Sequence, residues 1–244
     1  MKTKCAIIGS GKISCDLLVK LKRSKYLECI LMAGQRATSE GLAWAKKQCI
    51  STSDKSIDAV LQTDARIIFD ATTAISARQN AQLLKDRFYI NLTPYKKNKI
   101  CVPDVNLKEC LTRNAIDLGS CSIQAIIPKI HRLKDLEYIE CVTTIASNSA
   151  GMGTRENLSE YLITTAKTIT QFTGAKAKVI LVINPIITTM HNTLYLKRKH
   201  SDKLQIIQFD VEGCGDYLPK YAGNLDIITL SAIKIGEAYA NQNF

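Results

Sequence analysis

Cys5-Ala6-Ile7-Ile8-Gly9-Ser10-Gly11-Lys12-Ile13-Ser14 is the stretch on which the fold turns. Four apolar residues make a short strand of the buried type, and the chain then breaks at once into Gly-Ser-Gly. From Lys12 to Lys22 the apolar residues Ile13, Leu17, Leu18 and Leu21 recur at helical spacing. A strand, a glycine turn and a helix in immediate succession make a phosphate-binding loop. Gly9 permits the tight turn and Gly11 lets the backbone approach a pyrophosphate. The helix N-terminus adds N–H groups and the positive end of its dipole. The third small position is Ser14 where glycine is usual, and serine still lets the helix pack on the strand. The same turn also fits a domain of this kind that has lost its nucleotide.

Outward from this loop, strand-like and helix-like runs alternate. Strands are expected over 28–34, 65–71 and 88–92, and helices over 41–48 and 76–86. Such alternation indicates a parallel sheet covered on both faces. The expected fold is α/β: a Rossmann domain over 1–121, then an α+β domain over 122–224. In the second part, strands at 138–146, 178–184, 189–196 and 204–212 surround one long helix at 155–172, with Gly174 as its stop. Few crossovers imply a mostly antiparallel sheet. A last helix over 225–242 is expected to pack back on the first domain. The second strand ends in Gly34-Gln35-Arg36 with no carboxylate for a ribose, so NAD is expected and Arg36 keeps NADP open.

Lys and Arg number 33 against 22 Asp and Glu, a net charge of +11. That excess favours anionic partners such as nucleotide cofactors and coenzyme A. The basic clusters at Lys20, Lys22, Arg23 and Lys25, at Lys96, Lys97 and Lys99, and at 197–199 read as solvated faces. None is interleaved with aromatic residues, so no nucleic-acid platform is expected. Nine cysteines, an odd number at irregular spacing, point to reduced thiols and a cytoplasmic setting. The three histidines form no metal spacing with cysteine, so no metal site is expected. Apolar runs such as 179–183 are too short to span a bilayer, and the first residues read as a strand, not a signal peptide.

Cys121 follows a strand-like run (115–118) and a Gly119-Ser120 turn, and a helix-like run follows it. A cysteine at a helix N-terminus has its thiolate favoured by the dipole, so its pKa is expected to fall. By itself, one cysteine among nine is as well explained as a small buried hydrophobe. Four segments together carry more. They are Gly9 to Ile13; Cys121-x-x-Gln124-Ala125-x-Ile127-Pro128; Ser149-Ala150-Gly151-Met152-Gly153-Thr154-Arg155-Glu156-Asn157; and 213–226, which reads GCGDYLPKYAGNLD. In this order, over nearly the whole chain, they resemble the acylating, coenzyme A-dependent acetaldehyde dehydrogenases that partner 4-hydroxy-2-oxovalerate aldolases in aromatic degradation. The resemblance implies oxidation of a short aldehyde to acyl-CoA with NAD, through a thioester on Cys121. It also implies that Ser10, Gly11, Lys12 and Ile13, then Ser149 to Asn157, then Asn224 contact NAD, and that the chain forms a homodimer.

Departures from the family pattern are Ser14, Gln35-Arg36, Ser122-Ile123 where Gly-Gly usually follows the cysteine, and Asn192 where an Asp is usual. A left-handed backbone at Ile123 would be strained. Asn192 hydrogen-bonds but takes no proton at neutral pH. The connection at 197–203 is shorter than in the family, and 204–212 is expected to pair with 189–196 as a hairpin. These departures support a second reading, a catalytically impaired NAD-binding relative serving as a regulatory or assembly subunit.

Overall fold

The computed structural model describes residues 1–151, 155 and 158–242. Met152, Gly153, Thr154, Glu156 and Asn157, expected to contact NAD, lie outside the described residues. Two compact units emerge: Met1–Leu118 with Thr229–Phe244, and Gly119–Ile228.

The first unit is built on a parallel sheet of seven strands, ordered β3-β2-β1-β4-β5-β7-β6. They are β1 (Thr3–Ile8), β2 (Leu27–Ala33), β3 (Thr52–Ser53), β4 (Ile67–Asp70), β5 (Phe88–Asn91), β6 (Lys99–Ile100) and β7 (Ala115–Asp117). The helices between them are α1 (Lys12–Arg23), α2 (Glu40–Lys47), α3 (Ser56–Leu61), α4 (Ala74–Leu83) and α5 (Pro103–Cys110). All four residues of β4 and of β5 are buried, as expected of parallel strands covered on both faces. The strand order reverses between β1 and β4, the topological switch point where dinucleotides bind in sheets of this kind. There Gly9 N–H donates to the Ala33 carbonyl at 2.7 Å and Ala71 N–H to that of Ile8 at 2.8 Å. Both loops are thereby fixed at the carboxyl edge of the sheet.

The second unit starts with α6 (Cys121–Ile130) and β8 (Leu136–Ala146). Then come α7 (Leu158–Thr173), β9 (Lys176–Asn184), β10 (Met190–Arg198) and β11 (Leu204–Val211). Its sheet runs β11-β10-β8-β9. β10 is antiparallel to both β8 and β11, whereas β8 and β9 are parallel because α7 carries the chain between them. The hairpin expected across the short connection is present, with Met190 opposite Val211 and Lys197 opposite Leu204. The buried face of this sheet includes Ile139, Cys141, Thr143, Asn192, Leu194 and Leu196. Lys129 of α6 lies over the Phe209 ring on that face, 5.6 Å from its centroid.

The last helix, α8 (Gly223–Gln242), crosses the division between the units. Its later part is tied to the first sheet. Tyr239 stacks on Phe88 at 3.9 Å, Ser24 Oγ donates to Glu237 at 2.5 Å, and Thr229 Oγ1 donates to Asp16 at 2.5 Å. Asp16 also forms a buried ion pair with Lys20 at 2.5 Å. Lys20 therefore leaves the solvated cluster in which the sequence placed it, while Lys22, Arg23 and Lys25 remain exposed. Among the described residues, no helix is long and apolar enough to cross a membrane.

Candidate active site

In the first unit the phosphate loop is open at its tip. Gly9 has φ +121°, and a Cβ on it would stand 2.6 Å from the Ala71 carbonyl oxygen. Gly11, the residue before α1, has nothing within 4 Å of where its Cβ would be. No side chain caps α1. The first-turn N–H groups of Lys12, Ile13 and Ser14 therefore have no partner within the helix, and the dipole's positive end faces the open loop. This donor set fits a pyrophosphate. Ser10 Oγ accepts from Ser39 Oγ at 2.8 Å, which ties the loop to the start of α2. Beyond β2, Gln35 and Arg36 are exposed, and Gln35 Nε2 donates to Ser76 at 3.4 Å.

Two buried carboxylates at strand ends shape this edge, and the sequence reading passed over both. Asp70 closes β4 and accepts from Thr72 N–H at 3.0 Å, Thr72 Oγ1 at 2.5 Å, Asn80 at 2.8 Å and Tyr89 at 2.7 Å. Asp117 closes β7 and accepts from the N–H groups of Lys97 and Asn98 at 2.8 and 2.6 Å. The signal was present: each is a carboxylate ending an otherwise apolar strand.

In the second unit Cys121 is the first residue of α6. Ser120 caps the helix, its Oγ accepting from Ile123 N–H at 3.2 Å. Ser122 and Ile123 are helical, so the left-handed strain considered for Ile123 does not arise, and Ile123 is buried in the core. Cys121 is only 9% exposed. Burial pushes its thiol above the ordinary value, with the Tyr161 hydroxyl pulling the other way. The expected lowering by the helix terminus is thus overturned, because desolvating a thiolate outweighs the dipole here. Tyr161 Oη lies 3.4 Å from Cys121 Sγ and 2.7 Å from Ser122 Oγ. Ser122 Oγ is 2.9 Å from Thr143 Oγ1, which donates to Asn192 Oδ1 at 2.9 Å. Thr143 and Asn192 meet because they are register partners on β8 and β10. The sequence reading missed Tyr161 and Thr143. Tyr161 sits on the buried stripe of α7 with Thr165, Thr168 and Ile169, and polar groups on such a stripe were its one visible mark.

The structure brings Asn224 against the other expected cofactor segment. Its Nδ2 donates to the Ser149 carbonyl at 3.0 Å, while its buried Oδ1 has no partner. Arg155 pins the same turn, donating to the carbonyls of Ala150 at 3.2 Å and Ser147 at 2.9 Å. Gly151 is exposed, with nothing within 4 Å of where its Cβ would be.

Comparison with known proteins agrees with this architecture. The family model for prokaryotic acetaldehyde dehydrogenase, dimerisation, matches residues 121–228. An acetaldehyde dehydrogenase of Carboxydothermus hydrogenoformans is 38% identical over 282 aligned residues, covering 99% of this chain and 94% of the relative. Those of Bacillus cereus and Chloroflexus aurantiacus are 35% and 37% identical, covering 99% and 98% of this chain and 95% of each relative. With a parallel sheet in the dinucleotide-binding order, a cysteine at the first position of the Ser120-capped helix α6 and similarity over nearly the whole chain, the chain belongs to the acetaldehyde dehydrogenase family.

Proposed function

We propose that the protein oxidises a short aldehyde, acetaldehyde first among them, to acyl-CoA, with NAD as oxidant and Cys121 as nucleophile. The observation that carries this reading is Cys121 at the capped start of α6, its sulfur against the Tyr161 hydroxyl. The loop Ser10-Gly11-Lys12-Ile13 holds the pyrophosphate at the open start of α1. Ser149, Ala150, Gly151, Arg155 and Asn224 form a second cofactor contact, where the unpartnered Asn224 Oδ1 is an acceptor. Met152, Gly153, Thr154, Glu156 and Asn157 complete that segment in sequence. With Gln35 and Arg36 at the end of β2, NADP remains an alternative to be decided by the KM for each.

The Cys121 S–H adds across the aldehyde carbonyl: the sulfur bonds to carbon and the proton ends on oxygen. The bound nicotinamide supplies the hydride acceptor, and the hydroxyl proton leaves to solvent, so that Cys121 carries an acyl thioester. The thiol of coenzyme A then displaces Cys121, which recovers its proton. A raised thiol pKa makes the thiolate scarce, so the first step depends on the groups that favour ionised Cys121.

Purified protein with acetaldehyde, NAD and coenzyme A is expected to produce NADH and acetyl-CoA. Cys121→Ala is expected to lose both while still binding NADH. Unchanged turnover in that variant would sink the reading. The burial of Cys121 and the neutral Asn192 favour the second reading, an NAD-binding assembly or regulatory relative, for which NADH binds and no turnover occurs in the native chain. Two copies are proposed to pair through the second unit, and an aldolase partner is tested by co-purification.

A further inference from the structure

The groups around Cys121 form one chain whose direction is fixed by its far end. Thr143 has a single hydroxyl proton, and it goes to Asn192 Oδ1. Ser122 must then donate to Thr143, and Tyr161 to Ser122. Only lone pairs of Tyr161 Oη are left for Cys121, so its thiol is the donor. This direction suits S–H and denies a thiolate the Tyr161 hydroxyl, leaving it only the backbone N–H groups of Cys121 and Ser122.

The terminal group is an amide, which can present either of two faces. Asn192 is fully buried, and its Nδ2 has no partner. A half-turn of the amide places Nδ2 on Thr143 and leaves Oδ1 in the vacated place, so the number of hydrogen bonds at the amide is unchanged. Every hydroxyl then reverses: Asn192 donates to Thr143, Thr143 to Ser122, Ser122 to Tyr161, and Tyr161 to the sulfur. An ionised carboxylate at this position has no proton to give and admits only the first direction. Two of the departures noted in the sequence, Ser122 and Asn192, are thus joined through Thr143 in one chain.

We propose that Tyr161 is a positioning residue for the Cys121 sulfur, and that the Asn192 amide switches the chain between a direction that holds the thiol and one that holds the thiolate. The role rests on Cys121 being the nucleophile of the proposed reaction. On ionisation the Cys121 proton leaves to solvent water, since the amide takes none. Tyr161 stays un-ionised, its hydroxyl pushed well up by burial. Charged groups on the surrounding elements are engaged or exposed away from the chain. Lys129 of α6 lies over Phe209, and Glu160 and Lys167 of α7 are exposed. On β8 and β10, Glu137 pairs with Lys197, Glu140 with Lys178 and His191 with Asp210.

The test is a titration of Cys121 by thiolate ultraviolet absorbance on the full chain, each variant read against the same variant carrying Cys121→Ala. Circular dichroism marks the pH range in which the fold holds. Tyr161→Phe keeps the ring and is expected to raise the midpoint by about one unit, a roughly tenfold smaller thiolate fraction below it. Asn192→Asp is expected to raise the midpoint in the native background, and by less than half as much beside Tyr161→Phe, where the chain is cut. If Asn192→Asp does not fold, Asn192→Leu takes its place. It removes the acceptor of Thr143 and lowers the midpoint only when Tyr161 is present. No shift in Tyr161→Phe, equal Asn192 shifts in both backgrounds, or a native Cys121 that never ionises within that range would each overturn the proposal. No substrate enters the titration. These shifts without turnover would therefore refute the reaction and leave the chain standing, and turnover without them would do the reverse.

Discussion

Gly9 and Gly11 stand two residues apart in one loop and carry different burdens. At Gly9 the positive φ and the Ala71 carbonyl leave no place for a side chain. Gly9→Ala is expected to cost about 1–3 kcal/mol of stability and to abolish NADH binding, read by urea unfolding and fluorescence titration. Gly11 looks into open space. Gly11→Ala is expected to leave the unfolding midpoint unchanged and to weaken NADH binding, because the methyl occupies the path of a pyrophosphate and nothing else. Equal loss of stability in the two would contradict this division. The glycine turn itself was legible in the sequence, since a strand, a glycine pair and a helix make a local pattern. The surroundings of Cys121 were not. Tyr161 lies 40 residues from it in sequence and reaches it only through the packing of α7 on α6. The direction of its pKa was misread for the same reason: burial is a property of the folded unit, and the helix terminus is a property of the segment.

α1 shows the same contrast between what a segment reveals and what packing adds. Its apolar spacing gave the helix nearly to the residue, and nothing local marked Asp16 and Lys20 as a buried pair. Their side chains are 0% and 5% exposed, and Thr229 of α8 donates to the same Asp16 oxygen. Asp16→Ala removes the buried carboxylate to which both Lys20 and Thr229 donate and is expected to cost about 3–5 kcal/mol. The double variant Asp16→Leu, Lys20→Met is expected to cost less than Asp16→Ala alone in urea unfolding, since it leaves no buried charge behind. Costs that simply add would show the pair to be independent. Long periodic elements were legible throughout. β3, β6 and α3 escaped because two-residue strands and a six-residue helix leave no readable period, and α5 escaped because its turn is interrupted at the non-helical Asn106.

At the scale of the molecule, the second unit leaves apolar groups uncovered. Val182 of β9 and Leu204 and Ile206 of the edge strand β11 are 41%, 56% and 55% exposed. Light scattering of the native protein is expected to give twice the chain mass of 27.0 kDa, and Ile206→Lys to shift it toward the single-chain value. A single-chain mass for the native protein would rule the pairing out. The two-sheet plan was legible because each half keeps one pattern over many residues, alternating helix and strand in the first and mainly strands in the second. One feature orders events in time. Residues Thr229 to Gln242 of α8 belong with the first sheet, and the whole of Gly119–Ile228 precedes them in the chain. On the ribosome the first sheet therefore waits, with Asp16 lacking Thr229 and Phe88 lacking Tyr239, while the contiguous second unit is made. The part of the chain that begins to emerge first is the part that finishes folding last.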